Sequence, residues 1–285
     1  MDLFIVLILL LLGALVGFIS GLLGLGGGFI TVPALIYLLD YLGAPPNQSI
    51  KIAIGTSLFV IFLNSIAGIY KQSKHNNVIW KNSLLLGLFG IIGSIIGLKI
   101  SMNLNGELHK FIFGLLLILL SLNIGRELYL DYKKEHKETK VANKINKLNK
   151  NNNHKNMGIM GLLAGIFSSI FGIGGGILVV PFLHHFLKCP ITKSIGTSTG
   201  MISIISFFGL IGYILMPINL GTIYNSVLNQ LYLVGNVSLY IGLIMVISGS
   251  IFSHLGAKFS NIADTRTLNI IFSIILLIVG IKMVI

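Results

Sequence analysis

Apolar runs close to twenty residues long recur from one end of this chain to the other, and few folds can hold them. An α-helix rises about 1.5 Å per residue, so about twenty apolar residues cross the roughly 30 Å hydrocarbon core of a bilayer. Hydropathy places apolar segments at 3–23, 28–39, 50–70, 82–100, 108–126, 157–171, 176–187, 194–216, 235–255 and 267–284. Only 10% of the residues are charged, against about 25% in a soluble domain. The chain therefore reads as an all-α membrane protein of about ten membrane segments, with no soluble catalytic domain in view. Met1–Leu12 is read as the start of a retained span. Asp2 stands where a signal peptide would be basic, and no small-residue cleavage site follows.

Glycine weakens a helix interior, yet "GLLGLGGGFITVP" (21–33) lies inside one of the most apolar stretches, and "SIFGIGGGILVVP" (169–181) repeats it. The segment 28–39 beside the first cluster would reach only about 18 Å as a helix. Irregular backbone survives at membrane depth only where it is buried in protein or lines a polar cavity. The glycines Gly24, Gly26, Gly27, Gly28 and Gly172, Gly174, Gly175, Gly176 are therefore expected to break two hairpins mid-membrane. Each break leaves N–H groups at a helix start, which suits an anion. Pro33 and Pro181 are expected to kink the short helices. Alternatively, the glycines only let helices pack closely. A phosphate loop is excluded, since no Lys-Ser/Thr follows and no βαβ unit surrounds either cluster.

The clusters belong to a longer duplication. Over 17–33 and 165–181, eight of seventeen positions are identical. "IGTSL" (54–58) matches "IGTST" (195–199), and Gly97-Leu98-Lys99 matches Gly256-Ala257-Lys258. Three matches in the same order point to a repeated unit. Between the halves, 127–156 holds eight lysines, four acids and the run "NKNNNHKN", the composition of a solvated linker. The division is thus 1–126, linker 127–156, and 157–285. Lys and Arg collect in cytoplasmic loops. With the linker inside, sixteen of twenty basic residues fall inside, and both termini fall outside. Five segments per half is an odd number, so the second repeat enters from the opposite side, as in many secondary transporters. The net charge of +12 is explained by these loops, and no nucleic-acid partner is expected. The bilayer and a small anion are the expected partners.

Thr56 and Ser57, and their counterparts Thr197 and Ser198, lie early in spans; Asn64 shares a helix face with Ser57. Hydroxyls and amides donate hydrogen bonds to an oxyanion without adding charge, though membrane Ser and Thr also bond to backbone or a neighbouring helix. No Asp or Glu falls in the centre of a span, which argues against a cation or proton relay through a carboxylate. The adjacent His184 and His185 point to different helix faces and make a poor metal site. Cys189 is the single cysteine, so no internal disulfide or cysteine metal cluster can form. No Ser/His/Asp or Cys/His set stands out, and neither catalysis nor a cofactor or metal is expected.

Taken with "AGIYKQSKHNNVIW" (67–80) and "GSIIGLKIS" (93–101), the glycine clusters and "IGTSL" resemble the TauE/SafE family of anion permeases, the sulfite exporter or toluene-sulfonate uptake family. The resemblance covers nearly the whole chain except 127–156. It implies a substrate such as sulfite, an organosulfonate or thiosulfate, moved across the cytoplasmic membrane. In the second half Ile205 stands where the first has Asn64. The expected mechanism is alternating access by rocking of one repeat against the other. An anion channel of the same architecture is the alternative, and a membrane scaffold or intramembrane enzyme is the alternative from a different class.

Overall fold

The computed structural model describes residues 3–23, 27–135, 152–217, 231–259 and 265–284. The helices of the first half are α1 (Leu3–Leu23), α2 (Gly28–Tyr41), α3 (Pro46–Lys74), α4 (Trp80–Asn103) and α5 (Gly106–Glu135). The second half has α6 (Asn152–Phe171), α7 (Gly176–Pro181), α8 (Ile191–Leu215), α9 (Leu239–Phe259) and α10 (Thr265–Val284). Among the described residues, five helices are long and apolar enough to cross a membrane, namely α1, α3, α4, α5 and α8. With the shorter apolar helices around them, they make a multi-pass membrane protein. Large apolar side chains such as Leu88, Ile92 and Ile95 of α4 are more than half exposed, as they must be where lipid replaces water as the solvent.

Proline and glycine set several boundaries. Pro46 opens α3 at its first turn, and Pro190 precedes α8, positions where a missing N–H costs nothing. α5 runs on to Glu135 and α6 begins at Asn152, so helix extends into both ends of the stretch read as linker. The sequence "RELYLDYKKE" that carries α5 onward is rich in good helix formers.

One feature was not expected. Leu233–Val234 (β1) and Val237–Ser238 (β2) form a small antiparallel hairpin, pairing Leu233 with Ser238 and Val234 with Val237. Gly235, at φ 56°, supplies the left-handed turn residue. The hairpin closes the end of α8: Asn236 donates from its backbone N–H to Tyr213 O (2.9 Å) and from Nδ2 to Met216 O (3.2 Å). Carbonyls in the last turn of a helix lack intrahelical partners, and the turn supplies donors to two of them.

The packing crosses between the halves. α1 lies along α9, α4 lies along α6, α5 lies along α10, and α3 packs on α8. A Cβ on Gly17 of α1 would fall on the carbonyl oxygen of Gly249 in α9; a Cβ on Gly165 of α6 would fall on that of Gly90 in α4. Gly17 and Gly165 are 148 residues apart, and Gly90 and Gly249 are 159 apart. Without side chains at these points, backbones approach closely enough for dispersion to hold the helices together.

Candidate functional site

The described parts of both glycine clusters interrupt the helices. Gly27 (φ 73°, ψ −7°) is the N-cap of α2 and Gly175 (φ 75°, ψ −4°) that of α7, neither with a side-chain cap. Gly172 and Gly174 are also left-handed, at φ 65° and 84°. An L side chain in this region costs roughly 1–2 kcal/mol, which is why glycine occupies these turns. Gly24 and Gly26 lie outside the described residues. The first backbone bonds of α2 run from Ile30 and Thr31 N–H to Gly27 O, both 3.2 Å; those of α7 run from Leu178 and Val179 N–H to Gly175 O, 3.2 and 3.4 Å. The N–H groups of Gly28 and Gly176 therefore come before the first intrahelical donors, Ile30 and Leu178.

The two breaks touch. A Cβ on Gly28 would fall on the carbonyl oxygen of Gly172 and stand 2.8 Å from Ile173 Cα. Ser57 lies eleven residues into α3, about 17 Å along it. Its Oγ donates to Gly172 O at 2.8 Å. Ser57, Thr56, Thr197 and Ser198 are fully buried. The two threonines have matching partners: Thr56 Oγ1 accepts from Ser238 N–H and Thr197 Oγ1 accepts from Ile79 N–H, both at 3.0 Å. Each threonine thus fixes the extended segment that leads into the fourth helix of the other half. The serines differ. Ser57 is engaged, whereas Ser198 Oγ has no hydrogen-bond partner.

The other expected residues lie elsewhere. Asn64 is half-buried at the seam of α1 and α9, with Nδ2 3.5 Å from where a Cβ on Gly249 would stand, and its Oδ1 has no partner. Pro33 sits inside α2, which continues to Tyr41. α geometry gives way directly after Pro181 to one turn of π-helix at Phe182–Phe186. Proline removes a backbone donor, and at Pro181 the helix is already near its end.

Sequence reasoning missed how the end of α6 is held. Tyr213 OH donates to Ser169 O (2.9 Å) and meets Ser101 Oγ (2.6 Å). His109 Nε2 donates to Ile170 O (2.6 Å). With Ser57 on Gly172 O, side chains from α8, α5 and α3 occupy three carbonyls where α6 breaks. A helix end buried inside the protein needs such donors. The sequence signal for His109 was a lone histidine early in an apolar run.

Among the described residues, the side chains that bond to the end of α6 are Ser57, His109 and Tyr213, with no Asp or Glu. Asp40 pairs with Lys110 at 2.7 Å near the ends of α2 and α5, and Glu107 is exposed. On the α5 side, a small cavity beside Gly175 has an apolar lining that includes Leu116, Leu120, Phe167 and Ile173. On the α3 and α8 side, Ser57, Thr56 and Thr197 are engaged with backbone groups, and the Ser198 hydroxyl is buried without a partner.

Comparison with known proteins gives the family. The profile of the family described as "Sulfite exporter TauE/SafE" matches residues 9–283. A probable membrane transporter protein of Methanocaldococcus jannaschii is 32% identical over 277 residues, covering 97% of this chain and 94% of that protein. Another, of Haemophilus influenzae, is 30% identical over 281 residues, covering 98% and 97%. A third, of Bacillus subtilis, is 26% identical, covering 97% and 96%. No solved structure matches the chain. The family and these relatives are transporters, not enzymes, and the chain belongs to the TauE/SafE family of membrane transporters.

Proposed function

We propose that the protein is a permease that moves small sulfur-containing anions, of the sulfite, organosulfonate or thiosulfate class, across the cytoplasmic membrane by alternating access. The observation that carries this reading is the meeting of the two helix breaks at Gly28 and Gly172, beside buried hydroxyls on α3 and α8. Helix starts offer N–H groups and a partial positive charge. In this reading the eight glycines of the two clusters supply backbone donors. Thr56, Ser57, Thr197 and Ser198 supply hydroxyls, and Asn64 lies further along the path. The sulfur chemistry of the substrate comes from the family description.

The ten α-helices among the described residues fit two inverted five-segment repeats, 1–126 and 157–285, joined by a cytoplasmic linker with both termini outside. Support comes from contacts that recur in pairs: Gly17 on Gly249 with Gly165 on Gly90, and Thr56 with Ser238 as Thr197 with Ile79. Rocking of one half against the other would expose the central site to each side in turn. Basic interior loops would concentrate anions at the cytoplasmic mouth, a salt-sensitive effect. The test is uptake of radiolabelled sulfite and sulfonates into proteoliposomes. Saturable flux of at least one sulfur anion is expected; no flux of any of them overturns the assignment.

A further inference from the structure

Two isoleucines pack against the helix breaks. Ile61 and Ile202 each come four residues after the serine of a Thr-Ser pair. Residues four apart share a helix face, so Ser57 and Ile61 line one face of α3, and Ser198 and Ile202 line one face of α8. Ile61 reaches both breaks. Its Cδ1 lies 2.8 Å from where a Cβ on Gly28 would stand, and its Cγ2 lies 3.2 Å from one on Gly174. Ile202 Cγ2 comes equally near Gly174, at 3.2 Å. The two are 1% and 2% exposed. One turn from Ile202, the Ser198 hydroxyl is fully buried and has no partner. A buried hydroxyl normally finds one.

We propose that Ile61 and Ile202 form the gate of the anion site and set the size of the group that can accompany the sulfur through it. The inference rests on the anion-permease reading above. A hydrophobic constriction stops ions by excluding water rather than by repelling charge. Both residues are β-branched and stiff at χ1, so the gate opens by separation of α3 from α8 and not by folding a side chain aside. Glycine on the opposing side adds no bulk, so the isoleucines alone decide how much room appears. A passing anion takes the hydrogen bond that Ser198 lacks in the closed state.

The full-length protein and its Ile61→Ala, Ile202→Ala and Ile61→Val variants would be reconstituted and assayed with radiolabelled sulfite and benzenesulfonate. The ratio of benzenesulfonate to sulfite uptake should rise at least ten-fold in either alanine variant, and less in the valine variant. An unchanged ratio in an alanine variant that still moves sulfite overturns the gate. A second measurement requires no transport. Ile61→Cys in a Cys189→Ser background would be treated in sealed liposomes with a methanethiosulfonate reagent bearing a sulfonate, beside Leu117→Cys as a core control. Modification of the first and not the second is expected. No modification of the first, or equal modification of both, overturns the gate. If the thiol reacts as expected while the unmodified sequence moves no sulfur anion, the substrate assignment fails and the gate stands.

Discussion

Replacing Gly28 with alanine puts a methyl group where the two helix breaks meet. Gly28 is the first residue of α2 and, unlike Gly27, has no positive φ, so alanine meets no conformational strain there. The added Cβ falls on the Gly172 carbonyl oxygen and stands 2.8 Å from Ile173 Cα and Ile61 Cδ1. Ile61 can yield. The Gly172–Ile173 backbone cannot easily do so, because Ser57 holds that carbonyl at 2.8 Å. Overpacking of this kind costs about 1–3 kcal/mol. At about 1.4 kcal/mol per ten-fold, the close-packed state loses roughly 5- to 150-fold in population. The assay pairs thermal unfolding in detergent, followed by the single tryptophan, Trp80, with uptake in proteoliposomes. Gly125→Ala is the control, since a Cβ there meets nothing within 4 Å. Gly28→Ala should unfold at a lower temperature and lose most flux, with Gly125→Ala unchanged or slightly more stable. Identical behaviour of the two variants would refute the claim that the breaks are in contact.

The two serines should separate structure from transport. Ser57→Ala strands the Gly172 carbonyl and should cost about 1–3 kcal/mol in an unfolding measurement, while Ser198→Ala loses no bond and should leave stability unchanged but lower uptake at least ten-fold; equal unfolding midpoints would contradict this. Thr56→Val leaves a buried N–H unpaired and Thr197→Val a partly buried one, so both should destabilise, by about 1–3 kcal/mol at Thr56 and less at Thr197, with serine at either position restoring most of the loss; no destabilisation at either would break the parallel. Lys110→Ala removes a partly exposed ion pair and should cost under about 1 kcal/mol, less at high salt; a salt-independent loss would place the pair in a different environment. Burial raises the Cys189 thiol above its ordinary value, partly offset by Lys193, so maleimide labelling should be slow at neutral pH and accelerate as pH rises past the ordinary thiol range. Rapid labelling at pH 7 would count against that burial.

The apolar helical character of the chain and the breaks at Gly27 and Gly175 were legible because they follow from local chemistry. Apolar length decides the first, and the intolerance of left-handed φ by L residues decides the second, so Gly27 and Gly175 declared themselves. The threonines did not. Thr56 finds Ser238 across 182 residues of sequence, and no local pattern predicts that partner. A hydroxyl read as a ligand for solute can equally be an acceptor for backbone, and both threonines took the second role in this conformation. The hairpin at 233–238 carried a usable signal in its Gly235-Asn236 pair, flanked by β-branched and apolar residues. An apolar segment placed at 235–255 masked it. His109 was passed over because one polar residue scarcely changes the hydropathy of a long window.

The interleaving of helices has a consequence for how the protein is made. Translation delivers α1 to α5 to the bilayer before α6 to α10 exist. Until then, the glycine faces of α1 and α4 have only lipid against them, and Thr56 has no Ser238 to receive. The nascent first half must therefore wait in the membrane as a set of inserted but unassembled helices. Final closure belongs to the last helices synthesised, and severing the chain between residues 135 and 152 should leave two pieces that need each other to become compact.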